Sequence, residues 1–385
     1  MRAAVLTAVL FAAACASAPR GEFPPVPSSS AIDAQVRTLM AREDVKGMAV
    51  AVIEDGAVVH VGAYGYRNVA ENLPLQTDTI MYGASLTKAA FAYMVMQLVD
   101  EGRIDLDRSI AEYLPRPLPE YEDYADLAGD ERWRLLTPRI ILNHRTGLAN
   151  MRWLEDDQKL RFHWTPGERY GYSNEGFWVL QTVLEQGLGL DIGTEMQRRV
   201  FDRFGMTRTS MQWRDDFAGN LADGYALDGS FEPHDRRDNV AAAGSMDTTI
   251  ADQARLWAGV VRGEGLSAAS RAELVRPQFG IDSAGQFPTL RTDTDPRGPA
   301  INLAAGLGVI IFDDPQAGRT WFKGGHNDWT GNLVICQEAR RRCVVFLGNS
   351  VRAELIYPEL AHFILGDIAM PWWWGGWSSS PLRGG

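Results

Sequence analysis

Ser85 and Lys88 stand three residues apart in MYGASLTKAAFAYMVMQLVDEG, residues 81–102. Phe91, Met94, Val95 and Leu98 follow at i, i+3, i+4 and i+7, the spacing of one buried helical stripe. The pattern predicts a helix that begins near Ser85 and stops at Gly102. Ser85 then occupies the N-cap or first turn, and Lys88 shares its face. The positive end of a helix disfavours an ammonium, so a lysine placed there loses its proton more readily. A neutral amine beside a hydroxyl can take the hydroxyl's proton. Free backbone N–H groups at the same helix end can stabilise developing negative charge. The chemistry suggested is that of an activated serine. A capping serine beside a solvated lysine is the alternative, so the pair needs partners from elsewhere.

Two other stretches can supply them. WTPGERYGYSNEGF places Tyr172-Ser173-Asn174 after a Pro-Gly turn. A loop tyrosine two residues before an asparagine offers a phenolic oxygen and an amide to a cleft. Taken alone, it also reads as a packed tyrosine with Asn174 capping the next helix. TWFKGGHNDWTGN carries Lys323-Gly324-Gly325-His326 at the end of a predicted strand. Paired glycines let a ligand approach the backbone closely, and the lysine offers a cation to an anionic substrate. A turn with a solvated lysine is the other reading. His144, between Asn143 and Arg145, reads as structural. His60, His163, His234 and His362 have no visible partners in the sequence, and no metal role follows from them.

The elements that must position these residues can be sketched. An amphipathic helix is predicted over 31–40, then two strands over 48–53 and 57–63 around an Asp55-Gly56 turn. The Ser85 helix follows. Residues 105–235 are rich in helical segments, prolines and tryptophans, and LLTPRIILNHRTGL and EGFWVLQTVLEQGLGL each read as a helix start and body. A helix is predicted after Ala251. Strands return over 306–312, 320–323, 332–336 and 343–347, and a helix over 354–365 closes the chain. Strands at both ends and helices in the middle predict an α/β (α+β) fold. It has one antiparallel sheet covered by the first and last helices, with an all-helical insertion. The sheet part spans about 31–84 and 236–368, and the insertion about 103–235. The cleft between them lies where the Ser85 helix begins.

The chain has 385 residues and a formal net charge of −11, which argues against a nucleic-acid partner. No Cys/His cluster has metal-ligand spacing and no Gly-rich phosphate loop is present, so neither a metal nor a cofactor is expected. MRAAVLTAVLFAAACASAP reads as a secretory signal over 1–18. Cys15 after three alanines resembles a lipoprotein cleavage site, although Ala12 stands where a leucine is usual. Lipidation at Cys15, giving a membrane tether, and simple cleavage both stand open. Either way the expected location is secreted or periplasmic. A Pro/Ser-rich linker over 19–30 follows, and the catalytic region is expected over 31–368. Cys336 and Cys343 sit at the two strand ends of a predicted hairpin. A disulfide across it is expected in an oxidising compartment, two buried thiols being the alternative. PWWWGGW opens a Trp-rich tail over 369–385, read as packing against the sheet, disordered, or lying on a membrane. A monomer is the default.

Ser-x-x-Lys opening a helix, Tyr-x-Asn in a loop and Lys-x-Gly on a late strand occur here in that order. With ILNHRTGL, PGERYGYSN and AAGSMDTTIADQARL, they make residues 31–365 resemble the serine β-lactamase and penicillin-binding-protein superfamily. The likeness is to class C β-lactamases, family VIII esterases and D-peptidase-like hydrolases. That resemblance implies a β-lactamase/transpeptidase-like fold with Ser85 as nucleophile and Lys88 helping to deprotonate it. It implies Tyr172 as partner base, with its pKa lowered by Lys88 and Lys323. Asn174 would orient the substrate or Lys88, and Lys323 would tune Tyr172 or meet a carboxylate. The oxyanion would sit between the N–H groups of Ser85 and His326, beside Gly325. Gly324 departs from the pattern, because β-lactam-hydrolysing members usually carry a hydroxyl residue there. The expected activity is hydrolysis of an ester or small amide or peptide bond through an acyl-enzyme. A β-lactamase or D-alanyl-D-alanine carboxypeptidase is the alternative, and a non-catalytic cell-wall or ligand-binding module the rival of another class.

Overall fold

The computed structural model describes residues 23–377. The expected secretory signal over 1–18, with Cys15, and residues 378–385 lie outside them. Nine strands form one antiparallel sheet. In chain order they are Gly47–Glu54 (β1), Ala57–Asn68 (β2), Leu73–Pro74 (β3), Phe279–Gly280 (β4), Ala304–Ala305 (β5), Ile310–Asp314 (β6), Gly318–Asn327 (β7), Thr330–Gln337 (β8) and Arg342–Gly348 (β9). Their spatial order is β3-β2-β1-β9-β8-β7-β6-β5-β4. The first hairpin turns at Asp55 and Gly56, with φ of 50° and 75°, the left-handed pair whose twist suits a two-residue β-turn.

The strands at the middle of the sheet read as nearly unbroken apolar runs because both faces are covered. Met48, Val50 and Val52 of β1 point to one face and Ala49, Ala51 and Ile53 to the other. Helices Ser29–Glu43 (α1) and Tyr357–Leu365 (α5) pack on the first face. Leu86–Asp100 (α2) and Ile250–Arg262 (α4) pack on the second, with Asn174–Thr182 (α3) beyond α2. Thr249 caps α4, and Gly263 at φ 75° ends it. Cys336 and Cys343 face each other across β8 and β9 and form a disulfide.

Several expectations are corrected. The helix α2 has no single apolar stripe, because Leu86 through Leu98 are all buried; it runs through the centre of the molecule. The strand expected from residue 306 starts at Ile310, after the two-residue strand β5. Glu354 does not open the last helix. It lies in a 3-10 turn, Val351–Leu355, and α5 begins at Tyr357. The four histidines read as unpartnered each face an acid: His60 Asp33, His163 Glu155, His234 Asp247 and His362 Asp367. The Trp-rich stretch packs against the sheet, with Trp374 and Trp377 buried.

Candidate active site

Met81 and Tyr82 pair with Thr248 and Asp247, and the chain then turns sharply into α2. Ala84 takes the turn at φ 45°, a left-handed conformation costing about 1 kcal/mol for a non-glycine residue. Ser85 follows at the N-cap position, but its hydroxyl makes no capping bond. It faces two other groups instead. The Tyr172 hydroxyl donates to Ser85 Oγ at 2.7 Å, and Lys88 Nζ lies 3.0 Å from the same oxygen. Lys88 Nζ also lies 2.5 Å from Asn174 Oδ1 and 2.5 Å from the Ala243 carbonyl oxygen.

Protonation follows from burial. Lys88 is fully buried, and desolvation, reinforced by the charge of Lys323, pulls its amine well below the usual lysine range. A neutral amine has two N–H bonds and one lone pair. The oxygens of Asn174 and Ala243 can accept the two protons, which leaves the lone pair for the Ser85 hydroxyl. Lys323 donates to the Gly324 carbonyl at 2.6 Å and lies 5.3 Å above the Tyr172 ring. Burial brings it down to about 7. The expectation that these cations lower the Tyr172 phenol is not met. Burial holds the phenol above its usual value, against the pull of its bond to Ser85. The phenol is neutral because its own burial disfavours the phenolate.

Tyr172 reaches Ser85 from the loop before α3, and Asn174, the first residue of α3, reaches Lys88. Ser173 caps that helix, its hydroxyl accepting from the Gly176 N–H at 3.1 Å, so Asn174 is free to meet Lys88 rather than cap. His144 braces the loop from behind. Its Nδ1 accepts from the Ser173 N–H at 3.2 Å, and its ring lies tilted against that of Tyr172 with centroids 4.3 Å apart. Burial keeps His144 neutral and able to accept.

Lys323 does not end a strand. It lies in the middle of β7, which runs on to Asn327. β6 pairs with β7 only as far as Ile310 opposite Phe322, so β7 has an open edge from Lys323 onward. Alternation places Lys323 and Gly325 on the face toward α2 and Gly324 on the opposite face. A Cβ at Gly325 would lie 2.7 Å from the Gly83 oxygen and 3.1 Å from the Ser85 nitrogen. Only glycine lets β7 lie this close to the Ser85 N–H, which has no acceptor among the described residues. Gly325→Ala should therefore move β7 away and lower turnover about 100-fold, with the thermal midpoint within a few degrees of wild type. Steady-state rates and a melt check this, and near-normal rates would disprove it.

The His326 imidazole hydrogen-bonds Glu354 at 3.0 Å. Burial lowers that imidazole, but the bond and charge of Glu354, helped by Asp328, hold it above the usual histidine value. Ser85, Tyr172, Asn174, Lys323, Gly325 and His326 all line one cleft of about 580 Å³. Lys88 lies just beneath it. Sequence reading missed Glu354, Phe287 and Trp377 in its wall. PWWWGGW marks Trp377 as notable but not as part of a site, and nothing local ties Glu354 or Phe287 to Ser85, since each arrives from a distant segment. A larger hollow of about 740 Å³ beside β4 and β5 holds none of the reactive groups and shares Tyr170 with the cleft. Among the described residues no three His, Cys, Asp or Glu side chains are grouped as a metal site requires.

A family model described as Beta-lactamase matches residues 32–365. The chain belongs to the beta-lactamase family. This beta-lactamase-family chain is 27% identical to an unguisins hydrolase of Aspergillus violaceofuscus over 239 residues, 55% of this chain and 41% of the relative. It thus spans less than half of that protein. It is 21% identical to a penicillin-binding protein of Bacillus subtilis over 371 residues, 86% of this chain and 74% of the relative. Among solved structures, a D-alanine carboxypeptidase AmpC from Burkholderia cenocepacia superposes with a TM-score of 0.68 at 20% identity. That match covers 88% of this chain and 98% of the other and bears on the fold alone. The mixed fold, with its antiparallel sheet and covering helices, is that of β-lactamase/transpeptidase-like proteins. The family and the named relatives are those of hydrolases and penicillin-binding proteins.

Proposed function

We propose that the chain is a serine hydrolase that acylates Ser85 and cleaves an ester or a small amide or peptide bond. One observation carries this reading: a hydroxyl that caps nothing, within hydrogen-bond reach of a buried amine and a buried phenol. As Ser85 Oγ attacks the substrate carbonyl, the Lys88 lone pair takes its proton. The carbonyl oxygen becomes an oxyanion, held by the N–H groups of Ser85 and His326, each such donor contributing about 3 kcal/mol. When the intermediate collapses, the Tyr172 phenol gives its proton to the leaving oxygen or nitrogen and recovers one from the Lys88 ammonium. Water then attacks the acyl-enzyme by the same route in reverse, splitting one hard hydrolysis into two easier steps.

A β-lactam or D-alanyl peptide is the second reading, favoured by Lys323, whose amine would gain its proton as a substrate carboxylate docks. Against it, that amine is already bonded to the Gly324 carbonyl, and Gly324 offers no hydroxyl. An extracytoplasmic location, free or tethered, is consistent with the Cys336–Cys343 disulfide. The deciding experiment is covalent capture. A fluorophosphonate should add one mass adduct to the peptide containing Ser85, and a protein that only binds ligands would take none. Rates on p-nitrophenyl esters, nitrocefin and D-Ala-D-Ala peptides then rank the two substrate readings.

A further inference from the structure

The Trp-rich stretch folds back onto the cleft. Gly376 adopts φ 85°, and a Cβ at Gly375 would lie 2.0 Å from the Trp377 ring. The chain therefore reverses tightly enough to lay the Trp377 indole beside its own backbone. The indole comes to rest against Gly324, where a Cβ would stand 2.6 Å from Cζ2 and 3.0 Å from Cη2. Any side chain at position 324 would strike it. Gly324 and Trp377 are thus a matched pair: the volume left by the missing side chain is filled by an aromatic ring from a segment 53 positions later (377 − 324).

That ring is part of a larger wall. Trp377 packs edge-on to Phe322 at 5.8 Å and to Trp372 at 6.3 Å. The backbone N–H of Gln286 donates to the Trp374 carbonyl at 2.8 Å, which ties the loop carrying Phe287 to the same segment. Phe287 is 51% exposed and lies edge-on to Tyr172 at 5.5 Å. Along β7 the cleft is divided. The Phe322–Gly324 end sets aromatic rings around the Lys323 amine, whereas His326, Asn327, Asp328 and Glu354 make the other end polar. Gly325, against Ser85, stands between. An exposed phenyl ring in a cleft wall, with no partner on its open face, suits a flat apolar group.

We propose that Trp377 and Phe287 form a subsite for an aromatic group on one side of the scissile bond, so that aryl-bearing esters are the preferred substrates. This inference rests on the acyl-enzyme reading and names its substrate class. Flat rings are favoured because edge-to-face and offset contacts with indole and phenyl add to burial. The indole and the carbon atoms of Gly324 present no hydroxyl to a substrate carboxylate at this end.

Two ester pairs test it, each compared by kcat/KM. p-Nitrophenyl phenylacetate against p-nitrophenyl acetate varies the acyl side. Benzyl acetate against ethyl acetate varies the alcohol side. In at least one pair the wild type should prefer the aryl ester by tenfold or more. Trp377→Ala should lower that preference by about tenfold, and Phe287→Ala, at a half-exposed position, by severalfold. Trp377→Phe should keep most of it. Melts of each variant identify any that fail to fold, and Phe287→Ala keeps the question open to disproof if Trp377→Ala does. Turnover and Ser85 labelling with no aryl preference in either pair would overturn the subsite alone. So would a preference that both alanine variants retain, or a stronger preference for p-nitrophenyl hemisuccinate. Absence of both turnover and labelling would overturn the acyl-enzyme reading and the subsite with it.

Discussion

Ser85→Ala is expected to lower ester turnover by about 10⁴-fold or more, the scale seen when a covalent nucleophile is removed. The fluorophosphonate adduct should disappear with it. The Ser85 hydroxyl is the group that Tyr172 and Lys88 share, and no other hydroxyl in the cleft touches both. Stability should change little. The hydroxyl caps nothing, and Lys88 keeps its bonds to Asn174 and Ala243. The bond lost from Tyr172 is worth only about 1 kcal/mol net. A melt within about two degrees of wild type together with vanished turnover separates chemistry from folding. Retention of more than a hundredth of the wild-type rate would mean that the attacking oxygen belongs to another residue or to water.

The Ser85–Lys88 pair was legible because it sits where a turn becomes a helix, and that onset is written locally. The sheet was legible for a similar reason. Runs such as GMAVAVIE and RCVVFLG are apolar without alternation, as strands buried on both faces must be. The two-residue strands β4 and β5 were not, since two residues carry no periodicity. Lys323 was assigned to a strand end because Gly324-Gly325 reads as a break. In the fold those glycines are strand residues, one kept bare by the Ser85 backbone and the other by Trp377. Asn174 was ambiguous because Ser173 beside it is an equally good cap, and the hydrogen-bond partners decided. Glu354 behind His326, and Trp377 behind Gly324, are contacts through space that no spacing along the chain encodes. The state of Tyr172 failed for a different reason. Nearby lysines suggested positive charge, but charge requires solvation, and burial lowers both amines and raises the phenol.

That last point sets the second large effect. Lys88→Met is expected to lower kcat/KM by about 10³-fold and to abolish the acid limb of its pH profile. In the wild type the rate should rise with pH as the free enzyme's Lys88 amine loses its proton, and it should do so well below the usual lysine range, because burial and Lys323 depress that group. Tyr172→Phe should also be slow, by about 10²-fold, yet keep the acid limb, because the phenol is protonated throughout the range. If tyrosinate were the base, the roles would exchange: the limb would vanish in Tyr172→Phe and persist in Lys88→Met. Stability provides an independent reading. Lys323 is depressed from 10.5 to about 7 in the folded protein, so between those values the unfolded chain binds a proton that the folded one does not. Its contribution is fully present above 10.5, is lost as pH falls toward 7, and is constant below. A denaturant midpoint that climbs between pH 7 and 10, and climbs less steeply in Lys323→Met, where Lys88 alone still contributes, would show that the cleft holds its amines neutral. A slope of the opposite sign would mean that Lys323 is charged in the folded cleft. Lys88, buried beside it, could then not be counted on as a neutral base.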